Sequence, residues 1–190
     1  MMHRAAALSA AVALLALAAP APAQRQTQTS QQGSPLTLFR SLLEADSATT
    51  PTIHNALRSG RVFVDPTITF ADVTGDAKQD AIVLLDSGGI GGSIALYVFS
   101  ADGAKPGANG QAKLRAVYRN QTLYRVTART SGTTLLVRTP VYKPGDDPCC
   151  PPQQLERTIT WSARVKRMVL RSARRVDVPV SAVGTAPTTA

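Results

Sequence analysis

Histidine is nearly missing from this chain: it occurs twice in 190 residues, as His3 and His54. With His3 in the expected signal peptide, His54 would stand alone in the mature chain, which starves the usual acid–base and nucleophile-activating arrangements and leaves a zinc site short of nitrogen ligands. Aromatic residues make up 5 % of the chain, with one tryptophan, so no module that stacks bases is legible and specific nucleic-acid binding is not expected. Cysteine is confined to the adjacent pair Cys149-Cys150, which lacks the spacing of a zinc site. Ser87 and Ser93 stand in a glycine-rich loop but not in a G-x-S-x-G elbow. No helix is expected after residues 81–86, so that loop has no helix N-terminus on which to hold a phosphate. There is no internal repeat, which excludes a multi-bladed propeller. These absences point away from an enzyme. The alternative kept open is a secreted hydrolase or hydrolase inhibitor, with Asp72 and Asp76 as its carboxylate pair.

Residues 1–23 carry a basic start (His3, Arg4), an Ala/Leu/Val run of about 15 residues, and Ala21-Pro22-Ala23 before Gln24. This is the pattern of a cleaved signal peptide; the run is short of the ~20 residues a spanning helix needs. No cysteine lies near the cleavage point for lipid attachment. The expected product is exported, periplasmic or extracellular, not lipid-anchored, and without a transmembrane segment after cleavage. Residues 24–34 and 181–190 are small and polar and are expected to be disordered, leaving 35–180 as a single β-rich domain.

Within that domain the hydrophobic period changes. Residues 35–45 read as a helix, with Ser34 as N-cap and Pro35 at its first position, and residues 53–57 as a second, short one. From Arg61 the period is two. Residues 61–71 read as one strand interrupted at Pro66, and the most apolar runs, 81–86 and 94–100, as central strands. Further strands are expected over 113–119, 123–130, 133–142, 154–163 and 167–174. The fold class is α+β: an N-terminal helical segment, then a mostly antiparallel β-sheet of about seven strands.

Charge divides the domain. Residues 36–112 hold five Lys/Arg against eight Asp/Glu, whereas residues 113–175 hold fourteen against three. Such asymmetry suggests an anionic partner, a cell-envelope component or polymer, met by a basic sheet face carrying Arg115, Arg119, Arg125, Arg129 and Arg138. The plainer reading is that arginine fills the solvent side of strands, since basic and apolar residues interleave.

The string Asp72-Val-Thr-Gly-Asp-Ala-Lys-Gln-Asp80 runs straight into the apolar residues 81–85. Asp72, Thr74, Asp76 and Asp80 stand at positions 1, 3, 5 and 9 of a short calcium loop, with the Lys78 carbonyl at position 7. Ala77 occupies the place such loops give to glycine. The pattern is similar to the Asp-rich loops of FG-GAP/VCBS repeats and makes Ca²⁺ the one candidate cofactor; the alternative is a turn in which Asp72 and Asp76 bond backbone N–H groups. Cys149-Cys150, in Gly145-Asp-Asp-Pro-Cys-Cys-Pro151, allow a vicinal disulfide, two free thiols, or cross-links to another chain. Trp161 reads as a core residue, and the four tyrosines as cross-strand packing rather than a sugar platform.

A signal peptide, Asp72-Val-Thr-Gly-Asp76 entering a strand, and the Gly145–Pro151 string before a strand pair holding Trp161 follow one another in that order. This order resembles the LppP/LprE-like family of secreted and lipid-anchored bacterial envelope proteins, over about residues 60–175. The resemblance implies an envelope location and carries no enzymatic activity with it.

Overall fold

The computed structural model describes residues 34–101, 113–148 and 150–178. The readings of 1–23 as a signal peptide and of 181–190 as tail lie outside these residues, as do Cys149 and all of the expected 24–34 linker but Ser34, which caps the first helix. Two helices come first. In α1, Pro35–Ala45, the Ser34 hydroxyl accepts a hydrogen bond from Leu36 N at 3.3 Å, and Phe39 and Leu43 are buried. In α2, Pro51–Arg58, the Thr50 hydroxyl does the same for Ile53 N at 3.4 Å, and Ile53 and Leu57 are buried. The second helix starts two residues before the expected Ile53, because Thr50-Pro51 repeats the cap-then-proline device of Ser34-Pro35.

Among the described residues nine antiparallel strands follow, in two sheets rather than one. The first sheet runs β1 (Phe63–Val64), β3 (Asp80–Asp86), β4 (Ser93–Ser100), β5 (Arg115–Asn120), with β2 (Thr69–Ala71) also paired to β3. The second runs β6 (Thr127–Ser131), β7 (Thr134–Val141), β8 (Gln153–Ser162), β9 (Arg167–Asp177). The interrupted strand expected over 61–71 is the pair β1 and β2, both laid against β3 on either side of Pro66.

Two apolar clusters arrange these parts in layers. Phe39, Leu43, Ile53 and Leu57 of the helices pack on Val83, Leu85, Tyr97 and Phe99 of the first sheet. The opposite face of that sheet, with Ile82, Leu96, Val98 and Val117, packs on Leu135, Val137, Ile159 and Met168 of the second. The first sheet is therefore the middle layer, buried on both faces, which is why 81–86 and 94–100 are apolar almost throughout. The second sheet is buried on one face only, and β7 alternates strictly between buried and half-buried positions over Thr134–Thr139.

Candidate functional site

The Asp72–Asp80 segment closes the hairpin between β2 and β3, and its three carboxylates turn inward onto the loop itself. Asp72 Oδ1 accepts from Gly75 N at 2.6 Å and Asp76 N at 3.2 Å, while its Oδ2 accepts from Ala77 N at 2.9 Å. Asp80, fully buried, accepts from Val73 N and Thr74 N, both at 2.9 Å, and its other oxygen faces the Thr74 hydroxyl at 3.4 Å. Asp76 bonds Lys78 N at 2.9 Å, and the Lys78 ammonium lies 3.8 Å from its second oxygen. Backbone amides thus supply the positive groups that calcium would otherwise provide. Ala77 sits at φ +62°, the left-handed conformation that its position in such loops reserves for glycine. Among the described residues no three acidic, histidine or cysteine side chains gather as metal ligands would. The donor set in this arrangement fits a turn and does not fit an ion.

The five arginines do not share one face. Arg115 and Arg119, four apart on β5, would fall on the same side of a regular strand. A bulge intervenes: Val98 pairs with Tyr118 and Phe99 with Ala116, so Val117 is absorbed as an extra residue. Arg119 consequently points to the helix side and donates to Asp46 Oδ2 at 2.6 Å. Arg115 points to the second sheet, its guanidinium 5.9 Å from the centre of the Trp161 ring. Arg125 lies outside the strands at φ +47° and donates to the Pro148 carbonyl at 2.6 Å and the Tyr142 hydroxyl at 3.0 Å. Tyr142 in turn donates to Pro148 O at 2.9 Å and meets Tyr124 edge-on at 6.1 Å. Arg125 therefore staples down the proline-rich loop that carries the cysteines; Cys150 is held in a disulfide.

Arg129 and Arg138 do share a surface, the outer face of the second sheet. Register puts Arg138 beside Glu156 and Glu156 beside Arg174. Arg138 Nε donates to Glu156 Oε2 at 2.7 Å and Arg174 Nη2 to Oε1 at 2.7 Å. The two guanidiniums blanket Glu156, leaving it 3 % exposed although it faces outward rather than into the core. Arg174, followed by Arg138, holds the Glu156 carboxyl below the usual carboxylate range. Arg171 reaches the same face and donates to the Thr160 hydroxyl at 2.8 Å. The strands of this sheet carry seven arginines against Glu156 and Asp177.

A polar cluster that the sequence does not announce lies between the helices and the first sheet. Asp46 ends α1 and takes hydrogen bonds from Arg119 and Ala48 N. Burial raises its pKa, but Arg119 and the Ala48 amide outweigh it and the net shift is downward. His54 Nε2 lies 3.0 Å from the Leu43 carbonyl, which makes Nε2–H the donor. Gln121 joins the helices to the sheet through Thr50 N at 2.6 Å and Ala48 O at 2.9 Å. The buried Tyr97 hydroxyl abuts Thr49; neither hydroxyl oxygen makes a well-formed hydrogen bond among the described residues. Burial pushes the Tyr97 phenol up. With His54 spent on a backbone carbonyl and Asp46 on Arg119, the cluster clasps layers together rather than presenting a reactive group. Ser87 is likewise spent, donating to Gly92 O at 3.0 Å.

A groove of about 580 Å³ opens where β5 and β9 approach each other, lined by Arg115–Arg119 and Val165–Leu170. Compared with known proteins, the chain matches no family model, no curated protein and no solved structure.

Proposed function

We propose that this chain is an exported, non-enzymatic, envelope-associated module that holds an anionic component or polymer on the outer face of its second sheet. The observation that carries the reading is the segregation of charge: Arg129, Arg138, Arg171 and Arg174 gather on one solvent-facing surface around a single carboxylate, already neutralised. A flat array of guanidiniums on a sheet suits a repeated anionic group, such as a wall phosphate or a lipid headgroup, because each fork bonds two oxygens and the spacing is set by the ladder. His54, Ser87 and Asp72, on which the alternative hydrolase reading would draw, are each hydrogen-bonded to backbone groups. The Asp72–Asp80 loop serves in this reading as a folding turn and not as a calcium site.

The test is co-sedimentation of the purified protein with insoluble cell-wall material and with vesicles containing phosphatidylglycerol, across a salt series. Binding that weakens as salt rises and is lost on replacing Arg129, Arg138 and Arg174 with alanine supports the reading. Binding unchanged in that variant, with an unchanged melting temperature, rejects it.

A further inference from the structure

The turn between β8 and β9 breaks rules that the turn between β6 and β7 keeps. In the β6–β7 turn the left-handed residue is Gly132, at φ +55°; in the β8–β9 turn it is Lys166, at φ +49°. The string Ser162-Ala163-Arg164-Val165-Lys166-Arg167 holds no glycine, asparagine, aspartate or proline, the residues that turns favour. It holds a valine among cations instead: Val165 is 47 % exposed, and Arg164, Lys166 and Arg167 are exposed around it. A contact from the first sheet keeps this strained turn in place. Arg115 Nη1 donates to the Lys166 carbonyl at 3.2 Å, and its guanidinium stands 5.9 Å from the centre of the Trp161 ring. The tip is thus ordered before any partner arrives, which lowers the cost of binding through it.

The tip continues the arginine face. Register sets Arg167 opposite Ser162 and Val169 opposite Thr160, the residue whose hydroxyl takes Arg171. Val169, half-buried, therefore lies on the same outer surface as Arg171, and half-buried Leu136 lies there beside Arg129. The twelve residues from Arg164 to Arg175 include six Lys/Arg and no acid. Cations alone would serve any polyanion. Val165, Val169 and Leu136 gain nothing from a hydrated polymer, but they leave water where acyl chains begin, while long basic stems keep their charged ends at headgroup level. We infer that the anionic partner is a lipid bilayer rather than a wall polymer, met by the outer face of the second sheet with Val165 set into the headgroup–acyl boundary. This rests on the proposed anion-binding face and names its partner.

The experiment titrates the full chain with phosphatidylcholine vesicles containing phosphatidylglycerol, and separately with soluble polyphosphate, which offers anionic groups without an acyl phase. Val165→Gln keeps the charge and, in an exposed turn, the melting temperature. It should weaken vesicle binding about fivefold and leave polyphosphate binding unchanged. Val165→Trp should bind vesicles more tightly, with a blue shift of emission that the parent chain, carrying Trp161 alone, does not show. Equal vesicle affinity of Val165→Gln and the parent overturns the inference, as does a Val165→Trp emission that vesicles leave in place. A parent chain that binds polyphosphate or wall material but not vesicles also overturns it, while the anion-binding face stands. Binding to none of the three removes both.

Discussion

The first sheet lies between two packed layers and the second sheet covers only one. That difference sets their chemistry. Strands β1–β5 carry two acids, Asp80 and Asp86, and two arginines, Arg115 and Arg119, and their central residues are apolar on both sides. Strands β6–β9 carry seven arginines and two acids. A strand buried on both faces has no place to put a charge without the cost of desolvating it, whereas a half-covered sheet offers every second residue to water. Charge therefore collects where the fold leaves a face free, and the first sheet becomes the scaffold on which the second is displayed.

The comparison is tested most strongly at neighbouring positions on β7. Leu135 is fully buried between the sheets, while Leu136 is half-buried on the outer face. Leu135→Ala should cost about 2–5 kcal/mol in urea unfolding and Leu136→Ala under about 1 kcal/mol; similar losses would mean that the outer face is also covered. Next in size is the anchor of the Asp loop. Asp80→Ala leaves the Val73 and Thr74 amides without their acceptor and should cost about 2–3 kcal/mol, against under about 0.5 kcal/mol for the outer Asp76→Asn. Melting curves in millimolar calcium and in EDTA should coincide; a rise of several degrees with calcium, lost in Asp76→Asn, would restore the ion-site reading. A gain is expected at Ala77, where φ +62° strains an L-residue: Ala77→Gly should stabilise by about 1 kcal/mol.

The smallest effect is on acid stability. Asp46 and Glu156 both titrate below their usual range in the folded protein. Their contribution is therefore complete above the unfolded carboxylate values of about 3.9–4.3 and is lost as pH falls through the lower folded ones. Melting temperature should hold steady through neutral pH and decline below about pH 4, less steeply in Glu156→Gln for the second sheet and in Asp46→Asn for the first. Identical acid limbs in all three proteins would show that neither pairing matters to folding.

Local signals carried much of this architecture. The Ser34-Pro35 cap and the apolar runs of β3 and β4 can be read directly, because capping and two-sided burial leave their mark on adjacent residues. The turn reading of the Asp72 loop was one of two open to the sequence, and only the inward aim of Asp72 and Asp80 separates them. The division into two sheets was not legible, since strands of period two look alike whichever neighbour they join. Nor was the bulge at Val117, which sends Arg115 and Arg119 to opposite faces although their spacing promises one. The Asp46–Arg119 bond and the Arg125 staple join residues 73 and 23 apart, with no pattern in the chain to connect them.

The central claim of the proposal is that position, and not total charge, directs an anionic partner to the second sheet. Two double variants with equal change in net charge test it directly: Arg129→Glu with Arg171→Glu on the second sheet, and Arg58→Glu with Arg61→Glu beside α2. Affinity for phosphatidylglycerol vesicles at fixed low salt should fall about tenfold or more in the first and change little in the second. Equal losses in both would reduce the interaction to net charge and contradict the account.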